Sequence, residues 1–216
     1  LERRVWLSHG VGQFARPLQQ PHPPIAMAMV GPGGLTAETI AQRDMIPISA
    51  NFVPIENVAA QWRDYALARE KAGQIADRQV WRVCRNILVT ETDEAGAQLL
   101  TDPDGVIAHY FRYIRGVRQI EEVRSLQQEP VSLLNEFLEV PAALEDCAIV
   151  GTADTVLARL IELVDELGPF GTLVMVSHDW DESGLSQGSM RRLARDILPQ
   201  LKQHVDSLGP ARWIES

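Results

Sequence analysis

The chain has 216 residues and a formal net charge of −9, with 45% hydrophobic and 23% charged residues, the balance of a globular protein long enough for one domain with a sizeable core. Its densest basic group, Arg191, Arg192 and Arg195, is interleaved with acidic and apolar residues, so the basic stripe that nucleic-acid binding needs is missing. The longest apolar run, Pro23 to Val30, is far too short to cross a bilayer.

In chain order, the first feature is RPLQQPHPPIAMAMVGPGG, Arg16 to Gly34. Prolines stiffen the approach, Pro24–Val30 reads as a buried strand, and Gly31-Pro32-Gly33-Gly34 follows at once. Backbone without side chains directly after a buried strand lets a ligand come close. GLTAETIAQR (Gly34–Arg43) reads as a short helix, with Thr36, Glu38 and Thr39 as candidates for its first turn. MIPISANF (Met45–Phe52) reads as the next strand, and Pro47 marks a strand start or an irregular edge. From Ile55 to about Gly73, apolar residues at Val58, Ala59, Trp62, Tyr65, Ala66 and Ala68 have helical spacing, and Gly73 stops the helix. RQVWRVCRNILVTET (Arg78–Thr92) is β-rich through Val80, Trp81, Val83, Ile87, Leu88 and Val89. Thr92 then caps a helix with acids in its first turn.

Asp102 to Leu144 is less regular. It reads as helical from Gly105 onward, with a further short helix or loop at SLLNEFLEVPAAL (Ser132–Leu144). Cys147–Val150 is a short strand leading through Gly151 to Thr152, an N-cap. The helix it opens keeps Val156, Leu160, Ile161, Leu163, Val164 and Leu167 on one face and stops at Gly168-Pro169. TLVMVSHDW (Thr172–Trp180) is the last strand, continuous from Leu173 to Val176 as a strand covered on both faces would be. GSMRRLARDILPQLKQHV (Gly188–Val205) is the last helix, with Met190, Leu193, Ala194, Ile197, Leu198 and Leu201 inward. Strands alternating with helices predict parallel βα units in an α/β fold. Cys84 and Cys147 each sit in an apolar segment and read as buried thiols; with no CxxC and no secretory signal, a cytoplasmic location is expected. His9, His109 and His204 have no partners at metal-ligand spacing, so no metal is expected.

Three segments together resemble the C-terminal part of luciferase-like flavin monooxygenases, the family of bacterial luciferase and the limonene and alkane monooxygenases. They are RPLQQPHPPIAMAMVGPGG, GLTAETIAQRDMIPISANF, and the long closing unit from IVGTADT to the final helix ending RDILPQLK. The resemblance implies a (β/α)₈ barrel of the TIM type, of which the chain supplies roughly the last three to four βα units. It reads as one domain over 1–216: a lead-in (1–22), βα units (23–101), an irregular helical insertion (102–144) and a closing βα unit (145–208).

The implied activity is that of an FMN-dependent monooxygenase, or a C-terminal piece of one. It would insert an oxygen atom from O2 into an apolar organic substrate, using reduced flavin supplied by a separate reductase. Two other readings stay open: a truncated, non-catalytic homologue that binds flavin or a partner chain, and a deazaflavin-dependent oxidoreductase of the same superfamily. In the family the residues ending the first strand lie against the flavin ring. Carried over, these are Ala28, Met29, Val30 and Gly31, the last standing where a serine is common, and the amides onward through Pro32 and Gly33 join them. Ser177, His178, Asp179 and Trp180 end the last strand, on the catalytic face of a barrel, and are the candidate substrate pocket. Adjacent His178 and Asp179 would point to opposite faces if extended. The catalytic groups are expected in earlier strands than these. His22 lies at the other end of its strand and reads as a loop anchor, and Trp62 and Trp81 read as core. Open strand edges predict a homo-oligomer.

Overall fold

The computed structural model describes residues 18–31, 34–125, 147–177, 184–209 and 213–215. Strand β1 (Ala26–Met29) leads to helix α1 (Leu35–Gln42), β2 (Ile46–Ser49) to α2 (Ile55–Lys71). A two-residue strand β3 (Ala76–Asp77) and a 3₁₀ turn precede the long strand β4 (Arg82–Val89). Helices α3 (Asp93–Thr101) and α4 (Val106–Ser125) follow, then β5 (Ala148–Gly151), α5 (Ala153–Leu167) and β6 (Thr172–Val176). The chain closes with α6 (Leu185–Arg192), α7 (Leu198–Ser207) and β7 (Ile214–Glu215), which pairs antiparallel with β3.

Local chemistry accounts for most helix ends. The Thr92 hydroxyl accepts from the Ala95 amide (3.2 Å) and the Thr152 hydroxyl from the Thr155 amide (3.3 Å), each satisfying an orphan donor of a first turn. Gly73 and Gly168 follow the ends of α2 and α5 at φ 69° and 76°, where a Cβ would be strained. Helix α1 departs from expectation. Its N-cap is Gly34, at φ 72° with no side-chain cap, and the Thr39 hydroxyl instead donates back to the Leu35 carbonyl (2.8 Å). The final helix is interrupted: Leu193–Ile197 form a π turn between α6 and α7. Pro199 stands in the first turn of α7 and has no N–H to continue the α ladder, which favours such a local shift.

Strands β1, β2, β4 and β6 lie side by side and all parallel. β2 pairs with Arg82–Val83 of β4, and β6 with Arg82–Asn86. β5 pairs with Asn86–Val89. Because Asn86 pairs with both Ala148 and Val176, β5 and β6 occupy opposite edges of β4, and β5 extends the edge begun by β2. Beyond the end of β6, α6 takes over: the Ser189 hydroxyl accepts the Val89 amide (2.7 Å) and Arg192 donates to the Val89 carbonyl (3.2 Å).

The register sorts the side chains. Met29, Ser49, Val83 and Leu173 are cross-strand neighbours on one face, with Met175, Ile87 and Val89 alternating onto it. This face packs against α1, α2, α5 and α7 in one core. Val58, Gln61, Trp62, Tyr65 and Ala68 form the buried stripe of α2. Trp62 stacks on Trp81 at 4.8 Å, Phe170 meets Trp81 edge-on, and the Trp81 indole donates to Ser49 (3.0 Å), so both tryptophans are core. The other face carries Ala28, Ile48, Arg82 and Thr172 in one row, then Cys84, Val174, Asn86 and Val176. There only α4 and β5 provide cover, through Ile107, Phe111, Cys147, Ala148 and Val150.

Two expectations are corrected. β6 is half-buried along all five residues rather than covered on both faces, because it is an edge of this sheet and its inner face has little over it. The apolar run Pro24–Val30 is not a buried strand either: of β1, only Met29 is buried, because β1 is the opposite edge.

Candidate active site

The C-terminal ends of parallel strands are where βα folds build their sites. At the end of β1, register places Ala28 on the open inner face. The Met29 side chain goes the other way, 1% exposed in the helix-side core, so it offers the rim only its backbone. Val30 is 45% exposed. A Cβ built on Gly31 meets no atom within 4 Å, so open space lies over this backbone. Pro32 and Gly33 lie outside the described residues.

What holds this rim is α2. Gln61 Nε2 donates to the Met29 carbonyl (3.2 Å) and the Gly31 carbonyl (2.6 Å), and Asp64 accepts the Gly34 amide (2.8 Å). The Met29 carbonyl also accepts from the Ala50 amide of the neighbouring strand end (3.2 Å).

A second cluster lies on the inner face beyond β2 and along β4. Asn51 Nδ2 donates to Asn86 Oδ1 (2.7 Å), while Asn86 Nδ2 donates to the carbonyls of Asn51 (3.1 Å) and Cys147 (2.8 Å). The Tyr110 hydroxyl of α4 donates to Asn51 Oδ1 (3.1 Å). Both asparagines are buried, and the network ties β2, β4, β5 and α4 together with its polar atoms in use. Burial pushes the Tyr110 hydroxyl above its usual range, partly offset by Asn51. Burial likewise raises the Cys84 thiol on the same face, with Arg85 opposing, so this sulfur is held as the neutral thiol.

Alongside is a cavity of about 40 Å³ between β4, β6, α4 and α6, with Leu88, Ile107, Val150 and Val176 as apolar walls and Asn86, Ser177 and Ser186 as polar ones. It has room for a few water-sized molecules and is far below the several hundred Å³ of an organic-ligand pocket. Ser177 donates to Ser186 (3.2 Å) at the mouth of β6; His178, Asp179 and Trp180 lie outside the described residues. The glycine corner and Ser177 share the same rim of the sheet but are not in contact: β2 and β4 separate their strands by roughly 15 Å along the sheet.

The remaining sequence candidates are structural in place. His22 is exposed, with a ring nitrogen against the adjacent Pro23 carbonyl (2.8 Å). His109 is exposed, and His204 pairs with Asp165 between α7 and α5 (2.7 Å). Cys147 is buried and Cys84 half-buried. Among the described residues no group of three metal-ligating side chains comes together, and no helix is long and apolar enough to cross a membrane. Gln61, Asp64, Asn51, Asn86 and Tyr110 were not singled out by sequence. Gln61 had a signal: it is a polar residue at a position of the apolar stripe Val58–Trp62–Tyr65–Ala68.

Parallel βα units curling around an open inner face, with polar groups gathered at the strands' C-terminal rim, define a segment of a TIM-type (β/α)₈ barrel. No family model matches the chain. It is 24% identical over 201 residues to 4-hydroxyprotoasukamycin monooxygenase of Streptomyces nodosus subsp. asukaensis, covering 89% of this chain and 51% of that protein. To 3,6-diketocamphane 1,6-monooxygenase of Pseudomonas putida it is 25% identical over 167 residues, covering 74% and 42%. The solved oxygenating constituent of 3,6-diketocamphane monooxygenase, a type II Baeyer–Villiger enzyme from the same organism's CAM plasmid crystallised with FMN, superposes with a TM-score of 0.63 at 24% identity, over 83% of this chain and 49% of that one. The homologues of this chain are luciferase-like monooxygenases, and it has their fold. It spans about half the length of the curated relatives it matches.

Proposed function

We propose that the chain forms the flavin- and substrate-facing wall of an FMN-dependent monooxygenase that inserts one oxygen atom of O2 into an apolar organic substrate. The observation that carries this reading is the open backbone at Gly31, on the rim where βα barrels act. No protein atom lies within 4 Å of the place a side chain would fill, so the vacant volume suits the edge of a planar ring. Reduced FMN, when bound, supplies the activation of dioxygen.

The chain's own residues bind and orient. The amides of Val30 and Gly31 face the ring, Pro32 and Gly33 continue that contact, and Ala28 gives it a flat floor. Ile48, Val174 and Val176 make an apolar wall that excludes water from the reacting centre. Ser177, with His178, Asp179 and Trp180 beyond it, borders the substrate. The small cavity beside Asn86 is too small for that substrate, so the organic molecule lies over the wall, and the acid–base groups come from the strands that complete the barrel. A separate reductase delivers the reduced flavin. The exposed apolar edge at Ile25, Met27 and Val30 supports an oligomeric working unit.

The test is a titration of the purified chain with FMN, following flavin fluorescence, with molar mass measured on the same sample. Stoichiometric quenching is expected. Gly31→Leu should abolish it without unfolding the chain, since Gly31 does not have a positive φ and its surroundings leave room for a side chain. Unchanged affinity in that variant refutes the assignment of the corner.

A further inference from the structure

Gln61 and Asp64 stand three residues apart on α2, and so on one side of it. Together they hold the two ends of the glycine corner: Gln61 the carbonyls of Met29 and Gly31, Asp64 the amide of Gly34. Gln61 is fully buried, and with Nε2 committed to those two carbonyls its Oε1 has no partner among the described residues. An apolar residue would fill the stripe of α2 without leaving that oxygen bare. Gln61 therefore sits at a locally unfavourable position whose gain lies in the corner it grips.

Planar trans peptides transmit that grip. With the Met29 carbonyl turned to α2 and the Ala50 amide, the Val30 N–H points the opposite way, away from β2. The Gly31 carbonyl leads into proline, so that peptide has no N–H, and its one polar atom is held by Gln61. The donors the corner can offer are thus fixed in direction by a side chain that itself stays on the helix side of the sheet. At the far end Gly34 adopts φ 72°, a conformation Asp64 pins through the amide.

We propose that Gln61 and Asp64 are positioning residues for flavin binding: they set the peptide planes of the corner without touching the ligand. The inference rests on the FMN reading above and extends it to residues outside the contact surface.

The test compares the full chain with Gln61→Met, which keeps the volume and removes the donors, and with Asp64→Ala and Asp64→Asn. FMN affinity, urea midpoint and amide exchange at Val30 and Gly31 are measured on each. Gln61→Met is expected to bind FMN about tenfold more weakly, as loss of one to two hydrogen bonds' worth of orientation implies, with faster exchange at Gly31 and little change in midpoint. Asp64→Ala should weaken binding similarly. Asp64→Asn, which keeps an acceptor for the Gly34 amide, should restore it. Wild-type binding with equal affinity in Gln61→Met overturns the positioning role alone. A loss that tracks the urea midpoint, or no rescue by Asp64→Asn, overturns it as well, by showing a merely structural effect. Absence of quenching in the wild type overturns the FMN reading itself, and unchanged exchange at Gly31 in Gln61→Met would then remove the clamp too.

Discussion

Asn86→Leu is the substitution that most directly probes the inner face. Leucine matches asparagine closely enough in size to fit the buried site, so the change is mainly chemical. It removes three hydrogen bonds at once: the one Asn86 accepts from Asn51 and the two it donates to the carbonyls of Asn51 and Cys147. At a net value of about 1 kcal/mol each, the bonds account for roughly 3 kcal/mol. The Asn51 amide and the two carbonyls are also left wanting partners in a site 3–7% exposed, and the added apolar contact offsets part of that penalty. We therefore expect a loss of about 3–4 kcal/mol, a large fraction of the 5–15 kcal/mol typical of a domain. Urea unfolding followed by circular dichroism reads this as a fall in midpoint at constant slope. The network also predicts coupling. Tyr110→Phe alone removes one bond to Asn51 Oδ1 and should cost about 1 kcal/mol, but less in the Asn86→Leu background, where Asn51 is free to turn. A loss below about 1 kcal/mol for Asn86→Leu, or strict additivity with Tyr110→Phe, would refute the network as the tie between the strands and α4.

Two further predictions concern the junction of β5 and α5. A Cβ on Gly151 would lie 2.7 Å from Asp93 Oδ1 and 2.9 Å from Thr155 Cγ2, at φ 152°, so Gly151→Ala should destabilise by about 2–3 kcal/mol; an unchanged urea midpoint would show that the junction yields. Asp93 accepts the Thr152 amide (2.7 Å) and the Thr155 hydroxyl (3.0 Å), and these bonds, the amide first, hold its carboxyl below the usual range. A folded value below the unfolded one near 3.9 means a stabilisation present above that pH and lost as pH falls through the folded value. Wild type should thus lose stability more steeply than Asp93→Asn below about pH 4, and parallel curves for the two would remove Asp93 from the acid transition.

How much of this was legible in the sequence follows the range of each interaction. Caps at Thr92 and Thr152 and stops at Gly73 and Gly168 depend on a few neighbouring residues, so the sequence shows them where the structure has them. The stripe of α2 is equally local, and Gln61 within it was readable as an anomaly. Its partners were not, because the carbonyls of Met29 and Gly31 lie 32 and 30 residues away. Asn86 reads in sequence as one polar residue in a β-rich run. Its meaning comes from Asn51, 35 residues back, and Cys147, 61 residues on, and only the register brings these together. The exposure of β1 and β6 was hidden for another reason: apolar composition shows that a strand wants cover, not whether a neighbour supplies it.

The alternation along β4 joins fold and site. Val83, Ile87 and Val89 are at most 2% exposed on the helix side, where burial of apolar surface stabilises the sheet. Arg82, Cys84, Asn86 and Leu88 alternate onto the other side, where a polar network, a neutral thiol and a small cavity take the place of a dense core. A face built only for stability would be apolar on both sides, as buried parallel strands are. The same division recurs at β1, where Met29 anchors the helix-side core while Ala28 and the backbone at Gly31 are left to the open side. Gln61 crosses it: rooted in the packed layer, it reaches the edge of the open one, and so makes the rigidity of the first available to the geometry of the second.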